Sequence, residues 1–130
     1  MVKLAGGNGT CALCAASTWP LSWSINNQAL AATVGATGAV GVEFMQVLER
    51  RNFPVTELVL LASKRSAGTT LTFKGKPHAV KELTHDSFVG CQLALFSAGA
   101  KISRDYRESC VKAGCLMVDN SSAFRMEDGV

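Results

Sequence analysis

Gly35-Ala36-Thr37-Gly38-Ala39-Val40-Gly41 decides the fold of this chain. It follows the short apolar run Leu30 to Val34 and precedes a helical pattern in which Val40, Phe44, Val47 and Leu48 share one face. Strand, glycine turn and amphipathic helix in that order form a dinucleotide-binding unit. A tight turn leaves the strand, and the missing Cβ atoms let backbone approach a pyrophosphate. The helix N-terminus then offers unpaired N–H groups to the anion. The spacing here is GxxGxxG, a relative of the GxGxxG fingerprint, and Gly41 lets the helix lie close to the sheet. A glycine-rich turn that binds nothing would look the same in isolation; the flanking strand and helix supply the confirming context.

Working outward, Arg50 and Arg51 sit at the cation-favouring end of the helix, and Asn52 with Pro54 stops it. Leu58 to Ala62 reads as a second buried strand. Thr69 to Phe73, Lys74-Gly75-Lys76 and His78 to Val80 read as a hairpin. Leu93 to Phe96 is a third buried strand. Ser103 is positioned to cap a helix carrying Tyr106, Cys110 and Ala113, with Gly114 ending it. Leu116 to Val118 is a fourth strand, running into Asp119-Asn120-Ser121-Ser122. Strands alternating with helices predict an α/β, Rossmann-type doubly wound, mainly parallel sheet. One strand fits poorly: Ala31-Ala32-Thr33 is less apolar than a central parallel strand usually is, which predicts weak docking of the strand that carries the glycine loop.

The end of the second strand selects the cofactor. An NAD site places Asp or Glu there for the ribose hydroxyls. Ser63-Lys64-Arg65-Ser66 stands there instead. A guanidinium and hydroxyls suit a 2′-phosphate, with charge-assisted bonds of roughly 1.5–3 kcal/mol each, so the segment predicts NADP over NAD. A solvated basic loop is the plainer alternative.

Composition narrows the class. With 130 residues, 48% hydrophobic and 18% charged, the chain can build one packed domain. The net charge of +3, without Lys/Arg clusters interleaved with aromatics, gives no nucleic-acid footprint. No apolar run reaches the ~18 residues of a membrane-spanning helix. Cys91, Cys110 and Cys115 lie in apolar stretches and read as small hydrophobes in a reducing compartment. Cys11 and Cys14 have CxxC spacing without a second ligand pair or a strand–helix setting, so chance spacing is preferred to metal or redox chemistry. Residues 1 to 29 read as an atypical extension or insertion, poor as a secretory signal and without arginine for a transit peptide. Residues 30 to 130 form the expected NADP-binding domain.

Taken together, Val34 to Gly41, Leu58-Val59-Leu60-Leu61-Ala62-Ser63, Arg65-Ser66-Ala67-Gly68, Leu95-Phe96-Ser97-Ala98-Gly99 and Val118 to Met126 resemble the aspartate-semialdehyde dehydrogenase family. The resemblance runs from about Val34 to Asp128. It implies NADPH-dependent reduction of aspartyl-4-phosphate to the semialdehyde, on the route to lysine, threonine and methionine. A cysteine thiolate forms a thioester and a histidine handles protons. By resemblance, Gly35, Thr37, Gly38, Ala39 and Val40 hold the pyrophosphate, and Ser63, Arg65 and Ser66 the 2′-phosphate. Ser97, Ala98 and Gly99 pass near the adenosine and the nicotinamide-side ribose. Asn120 lies near the nicotinamide, and Arg125 binds the substrate phosphate, for which its planar fork is suited.

The family's nucleophile belongs to a Gly-Asn-Cys motif expected beyond Val130, and its histidine farther on. The expectation is therefore a Rossmann sheet truncated at its C-terminus, with no catalytic residue among the 130 and no activity alone. His78 and His85 read as solvated loop histidines. Homodimerisation is expected only of the complete protein, and an open sheet edge predicts marginal solubility. The resemblance implies a cytoplasmic protein, or a plastid one if residues 1 to 29 are a transit peptide. N-acetyl-γ-glutamyl-phosphate reductase shares the chemistry and the glycine loop. A short-chain reductase would carry Tyr-x-x-x-Lys, whereas Tyr106 is followed four residues on by Cys110. A non-catalytic dinucleotide-binding module, or a remnant without a role, is the reading from another class.

Overall fold

The computed structural model describes residues 29–126; the amino-terminal extension with Cys11 and Cys14 lies outside the described residues. The elements run β1 (Ala29–Val34), α1 (Ala39–Arg50), β2 (Val55–Ala62), β3 (Thr70–Phe73), β4 (Lys76–Glu82), β5 (Leu93–Phe96), α2 (Ala100–Lys112) and β6 (Leu116–Asp119). They form one six-stranded sheet in the order β3-β4-β2-β1-β5-β6. All pairs are parallel except the β3–β4 hairpin. The described sheet is the doubly wound α/β arrangement expected, with helices on both faces.

The strand expected to dock weakly sits in the middle. β1 pairs with β2 on one side and β5 on the other, and Ala31, Ala32, Thr33 and Val34 are fully buried. Its neighbours supply the bulk that its alanines lack: Ala31 lies between Leu58 and Leu93, and Val34 between Leu61 and Phe96. Docking of a central strand thus depends on the summed volume across three strands, which one strand's hydropathy does not report. Thr33 remains the cost, because its buried Oγ1 has no hydrogen-bond partner. Thr33→Val keeps the branched shape and removes that unpaired hydroxyl. We expect it to stabilise the domain by about 1 kcal/mol, raising Tm by roughly 4–8 °C in calorimetry.

Side chains alternate between two cores. Ala31, Leu58, Leu60 and Leu95 pack with Met45 and Leu48 of α1. Ala32, Val34, Leu61, Phe96 and Met117 pack with Cys110 of α2 on the opposite face. The buried stripe of α1 is Gly41, Met45 and Leu48. This corrects the expected face in part: Leu48 is buried as expected and Phe44 packs against this core, whereas Val40 is 41% exposed and Val47 only partly covered. The helix is turned so that Gly41, which has no side chain, meets the preceding loop.

Three boundaries also shift. β2 begins at Val55 rather than Leu58, because Val55 is buried while the polar Thr56 and Glu57 that follow it are exposed. The hairpin turns at Lys74 (φ +48°) and Gly75 (φ +73°), two residues in the left-handed region, as a two-residue turn requires. β4 continues to Glu82 and pairs with β2 through Leu60 and Val80, so the hairpin extends the main sheet. Ser103 is not a cap: α2 starts at Ala100 after Gly99, whose φ of +96° makes the turn, and Ser103 is buried one turn inside.

Candidate functional site

β1, β2, β5 and β6 are mutually parallel, so their C-terminal ends lie along one edge of the sheet. The strand order reverses at β1, with β2 to one side and β5 to the other. Such a switch point opens a crevice, because successive loops turn to opposite faces.

The glycine loop is built for close approach. Gly35 has φ +83°, and a Cβ there would lie 2.9 Å from Ser97 Oγ and 3.1 Å from the Ala98 nitrogen. A Cβ on Gly41 would lie 2.2 Å from the Gly35 carbonyl oxygen and 2.8 Å from Ala36 Cα. The Gly38 N–H donates to Gly35 O at 3.0 Å, closing the turn. Gly38 is the N-cap of α1, with no side-chain cap and no acidic residue in the first turn. The helix therefore keeps its amide dipoles available to an anion. Thr37, Gly38, Ala39 and Val40 are all exposed around it.

The loop after β5 is fastened to this one. Ser97 N–H donates to Val34 O at 3.0 Å, and Ser97 Oγ donates to the same oxygen at 3.0 Å. The Ser97 hydroxyl thus joins two loops, while Ala98 and Gly99 are exposed beside them. α2 also begins without a side-chain cap or first-turn acid.

On the other side of β1, β2 ends at Ala62 and the chain enters a 3₁₀ turn, Lys64–Ser66, with Ser66 N–H donating to Ser63 O at 2.9 Å. Ser63, Lys64 and Arg65 are exposed and Ser66 is half-buried. Beyond β5, the loop after β6 carries exposed Asn120, whose N–H donates to Phe96 O at 3.0 Å, and exposed Arg125. All thirteen residues singled out in the sequence therefore lie at the C-terminal ends of these strands, eleven on the connecting segments and Ala39 and Val40 in the first turn of α1. In strand order they run Ser63, Arg65 and Ser66; Gly35 to Val40; Ser97 to Gly99; then Asn120 and Arg125.

The sequence reading missed the groups that hold the last loop. Asp119 is buried; it accepts from Ser103 Oγ at 2.9 Å, from Ser121 N–H at 3.0 Å and from Ser121 Oγ at 2.5 Å. Arg104 donates to Ala123 O at 3.2 Å, and the Arg107 guanidinium lies over the Phe124 ring at 5.2 Å. A carboxylate ending an apolar strand was the available signal, but its partner lies 16 positions away.

The three described cysteines are buried, as read from their apolar surroundings. Burial pushes the Cys91 thiol up to about 11, with Cys115 and Glu57 adding to the effect. A hydrogen bond with Cys110, reinforced by burial, raises Cys115 further. Thiols held protonated in an apolar core are poor nucleophiles. His78, half-buried on β4, meets Phe73 edge-on at 6.0 Å. Exposed His85 stacks on Tyr106 at 4.6 Å, and its Nδ1 is 2.7 Å from Ser109 Oγ. Among the described residues no cluster of three His, Cys, Asp or Glu side chains is placed to hold a metal, and no helix is long and apolar enough to cross a membrane.

A topological switch point flanked by a glycine-bearing turn and an open helix N-terminus defines the class: a dinucleotide-binding α/β domain of Rossmann type. The family model described as semialdehyde dehydrogenase, NAD binding domain, matches residues 31–130, and the chain belongs to that family. Aspartate-semialdehyde dehydrogenase of Aquifex aeolicus is 55% identical over 100 residues, covering 76% of this chain and 29% of the relative. That of Bacillus subtilis is 52% identical over 97 residues, covering 75% and 28%. The chain thus spans less than a third of the length of these relatives. Among solved structures, aspartate semialdehyde dehydrogenase II of Vibrio cholerae complexed with ASA superposes with TM-score 0.71 at 41% identity, covering 78% of this chain and 33% of that one. The enzyme of Candida albicans with NADP gives TM-score 0.61 at 28% identity, covering 76% and 31%.

Proposed function

We propose that residues 30 to 130 are the NADP-binding portion of an aspartate-semialdehyde dehydrogenase, a cytoplasmic biosynthetic enzyme. The complete protein reduces aspartyl-4-phosphate with NADPH, on the route to lysine, threonine and methionine. The observation that carries this reading is the order of the four loops along one sheet edge. Ser63, Arg65 and Ser66 come first and take the 2′-phosphate. Gly35, Thr37, Gly38, Ala39 and Val40 hold the pyrophosphate, Ala98 and Gly99 border the ribose, and Ser97 ties their loop to the glycine loop. Asn120 faces the nicotinamide, and Arg125 receives the substrate phosphate. The order of the loops matches the order of groups along NADP and on to the substrate.

The residues present fit the cofactor: the glycines at 35 and 41 let the turn pack tightly against the loop after β5 and the start of α1, that helix N-terminus carries no side-chain cap or acid, and Ser63 to Ser66 include no carboxylate. When bound, NADPH supplies the hydride; these residues orient it and neutralise its phosphates. The three buried thiols do not serve as the nucleophile, so the described residues bind and position but do not form the thioester. Homodimerisation belongs to the complete protein.

Fluorescence titration of the chain with NADPH and, in parallel, NADH tests the reading. Saturation by NADPH at a concentration at least about tenfold below that for NADH is expected, the equivalent of one charge-assisted bond. Equal affinities would remove the role of Arg65, and binding of neither would remove the cofactor reading.

A further inference from the structure

We infer that Ser103 and Asp119 are positioning residues that hold the loop of Asn120 and Arg125 against the nucleotide turn. The inference rests on the roles proposed above for that loop. Ser103 Oγ lies 3.2 Å from Gly99 O, at the nucleotide turn, and 2.9 Å from Asp119 Oδ1. Asp119 in turn accepts from Ser121 N–H and Ser121 Oγ. Ser121 Oγ also lies 3.4 Å from Ser103 Oγ and accepts from Ala123 N–H at 3.1 Å. The Ser103 N–H donates to Gly99 O at 3.1 Å, so its backbone holds the turn after β5 while its hydroxyl and the Asp119 carboxylate hold the loop after β6.

The chemistry favours a locating role over a binding one. Ser103 is fully buried and Asp119 nearly so, which keeps both from direct contact with a ligand in the crevice. A carboxylate costs much to bury unless it is well satisfied, so three donors around Asp119 define one loop geometry. A Ser103 hydroxyl has a single proton, and donating it to Asp119 is the stronger use because the acceptor is charged. The loop then presents Arg125 from a backbone held at Ser121 and Ala123, and a phosphate does not have to offset the entropy of ordering that backbone. Arg104 and Arg107 on the same helix support Ala123 and Phe124.

The test uses the 130-residue chain and its variants Ser103→Ala, Asp119→Ala and Asp119→Asn, with folding checked by circular dichroism. Inorganic phosphate is titrated while the amide resonances of residues 120 to 125 are followed. Amide hydrogen exchange is read at Ser121 and Ala123, and NADPH affinity is measured beside it. For Ser103→Ala and Asp119→Ala we expect phosphate affinity to fall about fivefold or more, with faster exchange at both amides and a smaller fall in NADPH affinity, which the loop meets through Asn120 alone. Asp119→Asn keeps an acceptor oxygen for Ser103 and Ser121 and should restore phosphate affinity; a merely structural loss would not follow that pattern.

Unchanged exchange and phosphate affinity in folded Ser103→Ala would overturn the inference. So would an Asp119→Asn variant as impaired as Asp119→Ala. Failure of the parent chain to bind phosphate would instead remove the role of Arg125. The exchange rates would then still decide whether Ser103 and Asp119 hold the loop.

Discussion

Replacing Gly41 with alanine is expected to cost about 3 kcal/mol, lowering Tm by roughly 12–24 °C, and to abolish NADPH binding. The new Cβ would stand 2.2 Å from the Gly35 carbonyl oxygen and 2.8 Å from Ala36 Cα. Both are backbone atoms, so no rotamer change relieves the clash, and α1 must move away from the loop. That movement also disturbs the seat of Met45 and Leu48 in the core on that face. Gly38→Ala is the informative companion. Gly38 has φ −78°, open to any residue, and its Cβ would lie 3.3 Å from Gly35 O. The domain should absorb that with a Tm change of only a few degrees, about 1 kcal/mol or less. Its methyl nevertheless lies where backbone is to meet pyrophosphate, so binding should still weaken. Thermal melts and NADPH titration on the two variants separate fold from binding. Equal stability of Gly41→Ala and the parent chain would overturn the close-approach argument.

Arg65→Ala should weaken NADPH binding by about 10- to 100-fold and leave NADH within about twofold, without changing Tm. Arg65 is exposed on the 3₁₀ turn after β2, so its removal disturbs no packing. Its proposed partner, the 2′-phosphate, exists on only one of the two cofactors, which makes NADH the internal control. Arg65→Glu should go further, placing a carboxylate where an NAD site has one and reversing the preference. The NADPH advantage of the parent chain should also shrink as salt rises, since these charges are solvent-accessible. Parallel titrations at low and high ionic strength check this. A fall in both affinities together would point to damage to the glycine loop instead.

Features set by local order were legible in the residues alone. The glycine spacing between an apolar run and a helical pattern marked the tight turn from β1 into α1, because close backbone approach excludes side chains whatever surrounds it. Leu93 to Phe96 and Lys74-Gly75 were readable for similar reasons: a four-residue apolar run must be buried, and a two-residue hairpin turn needs left-handed backbone. The sequence also determined the family, through five motifs in order. What it did not determine depended on partners distant along the chain. Ala31-Ala32-Thr33 looked too small for a central strand until Leu58, Leu60, Leu93 and Leu95 were placed beside it. The buried face of α1 runs through Gly41, Met45 and Leu48 rather than Val40, because only a residue without a side chain fits beside Gly35 O. Ser103 read as a cap by its residue type, yet it lies a turn inside α2, bonded to Asp119. Periodicity and residue type report forces acting within a few positions; volume shared across a sheet and hydrogen bonds closed over many residues exist only once the chain has folded.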